Sequence, residues 1–181
     1  MRLRFSDKMH DVLGFTAEEA LRTGWRAAGV DHLMLGLLRH RDNDACRALT
    51  ASGIDPADLK RSLDERLFRP EPLNFGEPDA VRPTRAAAEA IRLSGYEALK
   101  HGSGTIRTVH LLLAISLSEG SASSEYLRNR GAGHEILEKK MNEQGMLHEA
   151  TEHAPVIINE KIVGALGEQL GNLISSSGFP S

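Results

Sequence analysis

The sequence predicts an all-α fold, with two pseudo-symmetric four-helix repeats packed into one domain and a C-terminal helix after them. Three observations carry this. Alanine and leucine abound while aromatic residues make up only 4% of the chain, a balance that favours helices over strands. A single offset of 78 residues, set by placing His32 over His110, aligns the two halves without gaps. The aligned positions also include helix stops as well as core leucines. Glu19-Ala20-Leu21 meets Glu97-Ala98-Leu99, Gly24 meets Gly102, Leu35 meets Leu113, Leu49 meets Leu127, Gly53 meets Gly131 and Leu59 meets Leu137. Chance similarity would not hold register through glycines and core positions alike. The expected domain covers residues 1–145: repeat 1 over about 1–67, a linker over 68–80 and repeat 2 over about 81–145. A tail follows over 146–181.

Repeat 1 reads as four short helices. Ser6 is a good N-cap for the first, which carries Met9, Leu13, Ala17, Ala20 and Leu21 on one face and stops at Gly24. The second begins near Asp31, whose carboxylate suits a helix N-terminus, and runs through the apolar HLMLGLL. The third holds Cys46 and Leu49 and ends at Gly53. The fourth has Asp55 as N-cap, Pro56 at its first position, and Leu59 and Leu63 facing inward. In repeat 2, Thr84 and Thr108 are the matching caps, and Gly102 and Gly131 the matching stops. The linker FRPEPLNFGEPDA carries Pro70, Pro72 and Pro78, so it should tie the halves together rather than extend a helix. In the tail, Ile162, Val163, Leu166, Leu170 and Ile174 line one face of a helix expected over about 159–175, weakened by Gly164, Gly167 and Gly171. Such a stripe more often packs on its own domain than docks a partner.

The bulk composition excludes several classes. A formal net charge of −3 with 26% charged residues gives no field for nucleic acid or an anionic membrane. The single cysteine, Cys46, cannot form an internal disulfide. No apolar run approaches the roughly 18 residues that span a bilayer, and the charged N-terminus is not followed by an apolar signal region. A cytoplasmic protein is expected.

Catalytic motifs fail on inspection. A P-loop needs a Gly-Lys pair within a glycine-rich turn, and the chain contains none. His32 and His110 occupy equivalent helix starts, but no nucleophile stands at a fixed offset from both. A histidine there more often holds the preceding turn by hydrogen bonds. Cys46 reads as a small buried hydrophobe. HEATEH, His148 to His153, places its histidines five apart, whereas the helical zinc motif needs four to put them on one face. No metal, no cofactor and no enzymatic activity are expected.

The stretches FSDKMHDVLGFTAEEALRTG and GVDHLMLGLL resemble the first repeat of the N-terminal domain of ClpC-type AAA+ unfoldases. PTRAAAEAI, EALKHG and VHLLLAI resemble its second repeat, and the likeness covers roughly residues 3–141. The resemblance implies a non-catalytic domain that binds substrates or adaptor proteins and passes clients to an ATP-driven ring. The alternative is a stand-alone regulator that docks on a Clp ring or peptidase core, or sequesters its ligands. The resemblance also implies a phosphoarginine site in each repeat, built from a hydroxyl at the first helix's cap and a carboxylate before the histidine of the second. In repeat 1 those positions hold Ser6 and Asp31, with Arg4 nearby; in repeat 2 they hold Thr84 and Val109. Aspartate is one methylene shorter than the family's glutamate, and valine offers a guanidinium nothing.

Overall fold

The computed structural model describes residues 3–70 and 80–148. The middle of the linker, HEATEH beyond His148 and the expected tail helix lie outside these residues. Among the described residues there are eight α-helices, and each helix of repeat 1 recurs about 78 residues later. The pairs are α1 (Asp7–Arg22) with α5 (Arg85–Lys100), α2 (Val30–Arg39) with α6 (Thr108–Ser116), α3 (Asp44–Ala51) with α7 (Ala122–Asn129), and α4 (Pro56–Leu67) with α8 (His134–Glu143).

The caps explain where these helices begin. The Ser6 hydroxyl accepts from the Met9 N–H at 3.1 Å, and Thr84 repeats this with Ala87 at 3.1 Å. Asn43 caps α3 by accepting from the Cys46 N–H, and Asp55 caps α4 with Pro56 at its first position. One helix start differs from expectation: Thr108 is the first residue inside α6 rather than its cap. α2 starts at Val30 and carries Asp31 in its first turn, as expected. In both, the histidine three residues beyond the cap does the capping: the Gly29 N–H donates to His32 Nδ1 at 3.0 Å, and the Arg107 N–H to His110 Nδ1 at 2.9 Å. The histidine thus satisfies the cap's own N–H, while its backbone N–H is taken by the cap's carbonyl, His32 by Gly29 at 3.1 Å and His110 by Arg107 at 3.1 Å. Gly24 and Gly102 end α1 and α5 with positive φ, as the stops predict.

Short strands add what helical periodicity did not announce. β1 (Arg4–Phe5), β2 (Ala27–Ala28), β3 (Arg82–Pro83) and β4 (Thr105–Ile106) pair across the repeats, not within them. β1 lies parallel to β4 and β2 parallel to β3. Each strand leads into a helix: Ser6 N–H donates to Ile106 O at 3.0 Å, and Thr84 N–H to Ala28 O at 2.8 Å.

One hydrophobic cluster runs through both repeats, with α2 and α6 at its centre. All nine residues of α6 are buried, as are seven consecutive residues of α2 from His32 to Leu38. α1 crosses α2 so closely at Gly36 that a Cβ there would lie 2.4 Å from Thr16 Oγ1 and 2.8 Å from the Val12 carbonyl. α6 has alanine, Ala114, in that register.

Candidate functional site

The strand exchange decides which of the expected site residues meet. Arg4 and Ser6 sit on and just after β1, against β4 and the start of α6. Thr84 follows β3 and so lies against the start of α2, its hydroxyl 3.9 Å from where a Cβ on Gly29 would be. The hydroxyl thus meets the second helix of the other repeat: Thr84 stands beside the helix that carries Asp31, and Ser6 beside the one that carries Val109.

Asp31 has a structural engagement of its own. One carboxylate oxygen accepts from the Ser123 N–H at 2.8 Å and the Ser123 hydroxyl at 2.7 Å; the other accepts from the Ala122 N–H at 3.2 Å. A side chain from repeat 1 therefore caps α7 of repeat 2, placing a negative charge at the positive end of that helix. Val109, its counterpart, is fully buried in the core. The reciprocal contact is made instead by Thr108, whose hydroxyl accepts from the Ala45 N–H at 3.4 Å. The sequence shows Asp31 as suited to a helix N-terminus, but nothing in its spacing says that the helix belongs to the other repeat.

The two histidines are held neutral. His32 Nδ1 accepts from Gly29, so Nε2 carries the proton and donates to Thr23 Oγ1 at 3.0 Å, while that hydroxyl donates to the Glu19 carbonyl at 2.8 Å. Burial pushes His32 down to about 4. His110, fully buried, is pushed down to about 3 by burial and by Arg107 and His101; its Nε2 has no hydrogen-bond partner among the described residues. Its ring stacks near that of His101, which stands where repeat 1 has Thr23. The one hydroxyl His32 meets among the described residues, that of Thr23, is fully buried and committed to the Glu19 carbonyl. Cys46 is buried, donates to the Leu37 carbonyl and is pushed up to about 11 by burial, which keeps it an unreactive thiol.

The two glutamates that the offset aligns, Glu19 and Glu97, are both buried, which their charge does not announce. Glu19 pairs with Arg22, which also reaches Asp64 at 2.6 Å, and with Arg39. Glu97 accepts from His134 Nε2 at 2.9 Å and faces His101 at 3.8 Å; both histidines also approach Glu138. Burial raises the Glu97 carboxyl, but the His134 hydrogen bond and the charges of His134, Lys100 and His101 outweigh it, leaving the group below its ordinary value. Among the described residues, no three such side chains converge to hold a metal ion, and no helix is long and apolar enough to cross a membrane.

Comparison with known proteins places this arrangement. Residues 4–130 match the family described as the Clp repeat (R) N-terminal domain. Over 128 residues, 71% of this chain, the sequence is 30% identical to "Negative regulator of genetic competence ClpC/MecB" of Bacillus subtilis and 27% identical to "Chaperone protein ClpB" of Oceanobacillus iheyensis. It is 28% identical over 129 residues to the chloroplastic ClpC1 chaperone of Arabidopsis thaliana. The matched stretch spans only 14–15% of the length of these relatives. The Hsp104 N-terminal domain from Candida albicans has the same fold, with a TM-score of 0.64 at 13% identity over 81% of this chain and 94% of that one. The chain belongs to the Clp N-terminal repeat family.

Proposed function

We propose that this chain is a non-catalytic recognition domain that binds substrates or adaptor proteins of a Clp protease or chaperone system in the cytoplasm. The observation that supports this most directly is the commitment of its chemically capable side chains to the fold. His32 and His110 are buried and neutral, Cys46 is buried, and Asp31 is saturated by three donors. What is left to act is surface, and a surface acts by binding. The test is co-purification of the tagged full chain from its native cell. The reading expects client or adaptor proteins to be retained through salt washes. A ring or peptidase core retained alone would favour the docking regulator, and ATP turnover or peptide cleavage by the purified chain would overturn both.

The same engagement of Asp31 favours protein surfaces over a phosphoarginine tag as ligand. A guanidinium at that carboxylate would compete with the three donors at the start of α7 for the same two oxygens. Titration calorimetry with free phosphoarginine should therefore give no saturable heat. A site that saturates and disappears in Thr84→Ala would restore the tag as a ligand.

A further inference from the structure

The two repeats close the seam between their first and last helices with different chemistry. In repeat 1, the Arg22 guanidinium on α1 reaches Asp64 on α4 at 2.6 Å while also holding Glu19. A guanidinium keeps its charge at any ordinary pH, so that seam is tied permanently. In repeat 2, the offset carries Arg22 onto Lys100 and Asp64 onto the uncharged Asn142. The tie to the buried glutamate falls instead to His134, the first residue of α8, which stands where α4 has Pro56.

His134 lies between two carboxylates. Its Nε2 is 2.9 Å from Glu97 Oε1 on α5, and its Nδ1 is 3.6 Å from Glu138 Oε2, one turn along α8. A neutral imidazole has one N–H and one lone pair, so it would turn that lone pair towards one of the carboxylates. The imidazolium offers a proton to both. His101 strengthens the demand for charge, with its Nε2 3.3 Å from Glu138 and 3.8 Å from Glu97.

The surrounding groups leave that demand unmet. Lys100 holds Glu138 at 3.0 Å, so with both histidines neutral two carboxylates face a single ammonium. From α6 comes His110, neutral and stacked near His101, with Arg107 beyond it. α3 also packs on α8, but its Asp44 and Arg47 pair with each other at 2.6 Å. From α7, the Arg128 stem passes beside Gly133. The α8 dipole itself disfavours a cation at the first residue of the helix, so the carboxylates are what hold one there. Burial works against the Glu97 charge, but the His134 hydrogen bond and the neighbouring cations outweigh it, and Glu97 stays ionised near neutral pH.

We infer that the α5–α8 seam of repeat 2 is a proton-operated latch, closed when His134 is protonated and loosened when that proton leaves, while the α1–α4 seam of repeat 1 stays shut. Each opening of α8 would bare Leu137 and Met141, both fully buried in the closed domain, so apolar surface becomes available in repeat 2 alone. The latch operates whichever partner the domain recognises.

Amide hydrogen exchange on the full chain, corrected for the intrinsic effect of pH on exchange, tests this between about pH 6 and pH 8.5, where histidine ordinarily loses its charge. Protection of α8 should fall by about tenfold across that range, the difference between a charge-assisted and a neutral hydrogen bond, while protection of α4 stays level. His134→Gln, its folding checked by circular dichroism, should hold α8 at its alkaline level throughout. Glu138→Gln keeps His134 and Glu97 in place and should shrink the step; it decides the matter if His134→Gln does not fold. An α8 protection that is level with pH, a parallel loss in α4, or a step that persists in His134→Gln or is undiminished in Glu138→Gln would overturn the latch.

Discussion

Repeat 1 and repeat 2 bury the same glutamate at the same turn of the same helix and neutralise it differently. Glu19 is met by Arg22 and Arg39, whose charges persist at any ordinary pH. Glu97 is met by His134 and His101, with the aligned cation reduced to Lys100 and turned outward to Glu138. The contacts between repeats are unequal too. Repeat 1 lends repeat 2 a carboxylate with three hydrogen bonds at α7, whereas repeat 2 returns a hydroxyl and the Arg107 guanidinium at α3. A duplicated backbone therefore fixes where a polar group must be buried and leaves open which partner satisfies it. Divergence between the halves collects at those partners while the capping histidines stay in place.

The largest effect expected from breaking this relation is loss of the fold. Each repeat holds one strand of each pair, and the core is continuous through both, so a fragment covering residues 1–70 should show no cooperative unfolding transition. A urea melt of that fragment as sharp as the parent's would show that the repeats are self-sufficient.

A smaller effect is expected from the unequal caps. Asp31→Ala removes the charge-assisted bonds at α7 and leaves backbone N–H groups there without their acceptor, at a cost of about 1.5–3 kcal/mol. Thr108→Val removes a longer, uncharged hydrogen bond at the start of α3 and should cost about 1 kcal/mol. Equal losses in chemical denaturation would mean that the repeats hold one another symmetrically after all.

The last effect concerns the matched histidines and shows only as the pH is lowered. Both are held below their ordinary value of 6.5 in the folded state, so the unfolded chain takes up a proton that the folded chain refuses. Their contribution is full above about pH 6.5 and is lost as pH falls, towards about 4 for His32 and about 3 for His110. Stability measured across that range should fall with acid, and His32→Gln should flatten the upper part of the slope. An unchanged slope in that variant would assign the acid sensitivity elsewhere.

Much of this architecture is legible in the residues. The 78-residue offset, the Ser6, Thr84 and Asp55 caps, and the stops at Gly24 and Gly102 all depend on short-range chemistry, which a sequence displays. The strands are hidden because two residues are too few to show a period of two, and because their partners lie in the other repeat. The regrouping of Ser6 with the start of α6 and of Thr84 with the start of α2 follows from those strands, so same-repeat reasoning could not reach it. Arg107 is a further case. A fully buried arginine is rare in a core unless paired, and the partners that hold it, the Met146 carbonyl at 2.9 Å and Asp44 at 3.9 Å, lie far from it in the sequence.

The exchange of strands also sets an order of assembly. Phe5 pairs with Ile106, so β1 has nothing to bind until about a hundred further residues of chain have been made after it. Helix pairs such as α1 with α2 can close as soon as they are synthesised, since their contacts are local. The pairings that join the repeats are non-local and must wait, and ordering the long intervening chain makes such contacts slow to form. Until then repeat 1 would carry an uncovered core face and two strand edges on a growing chain.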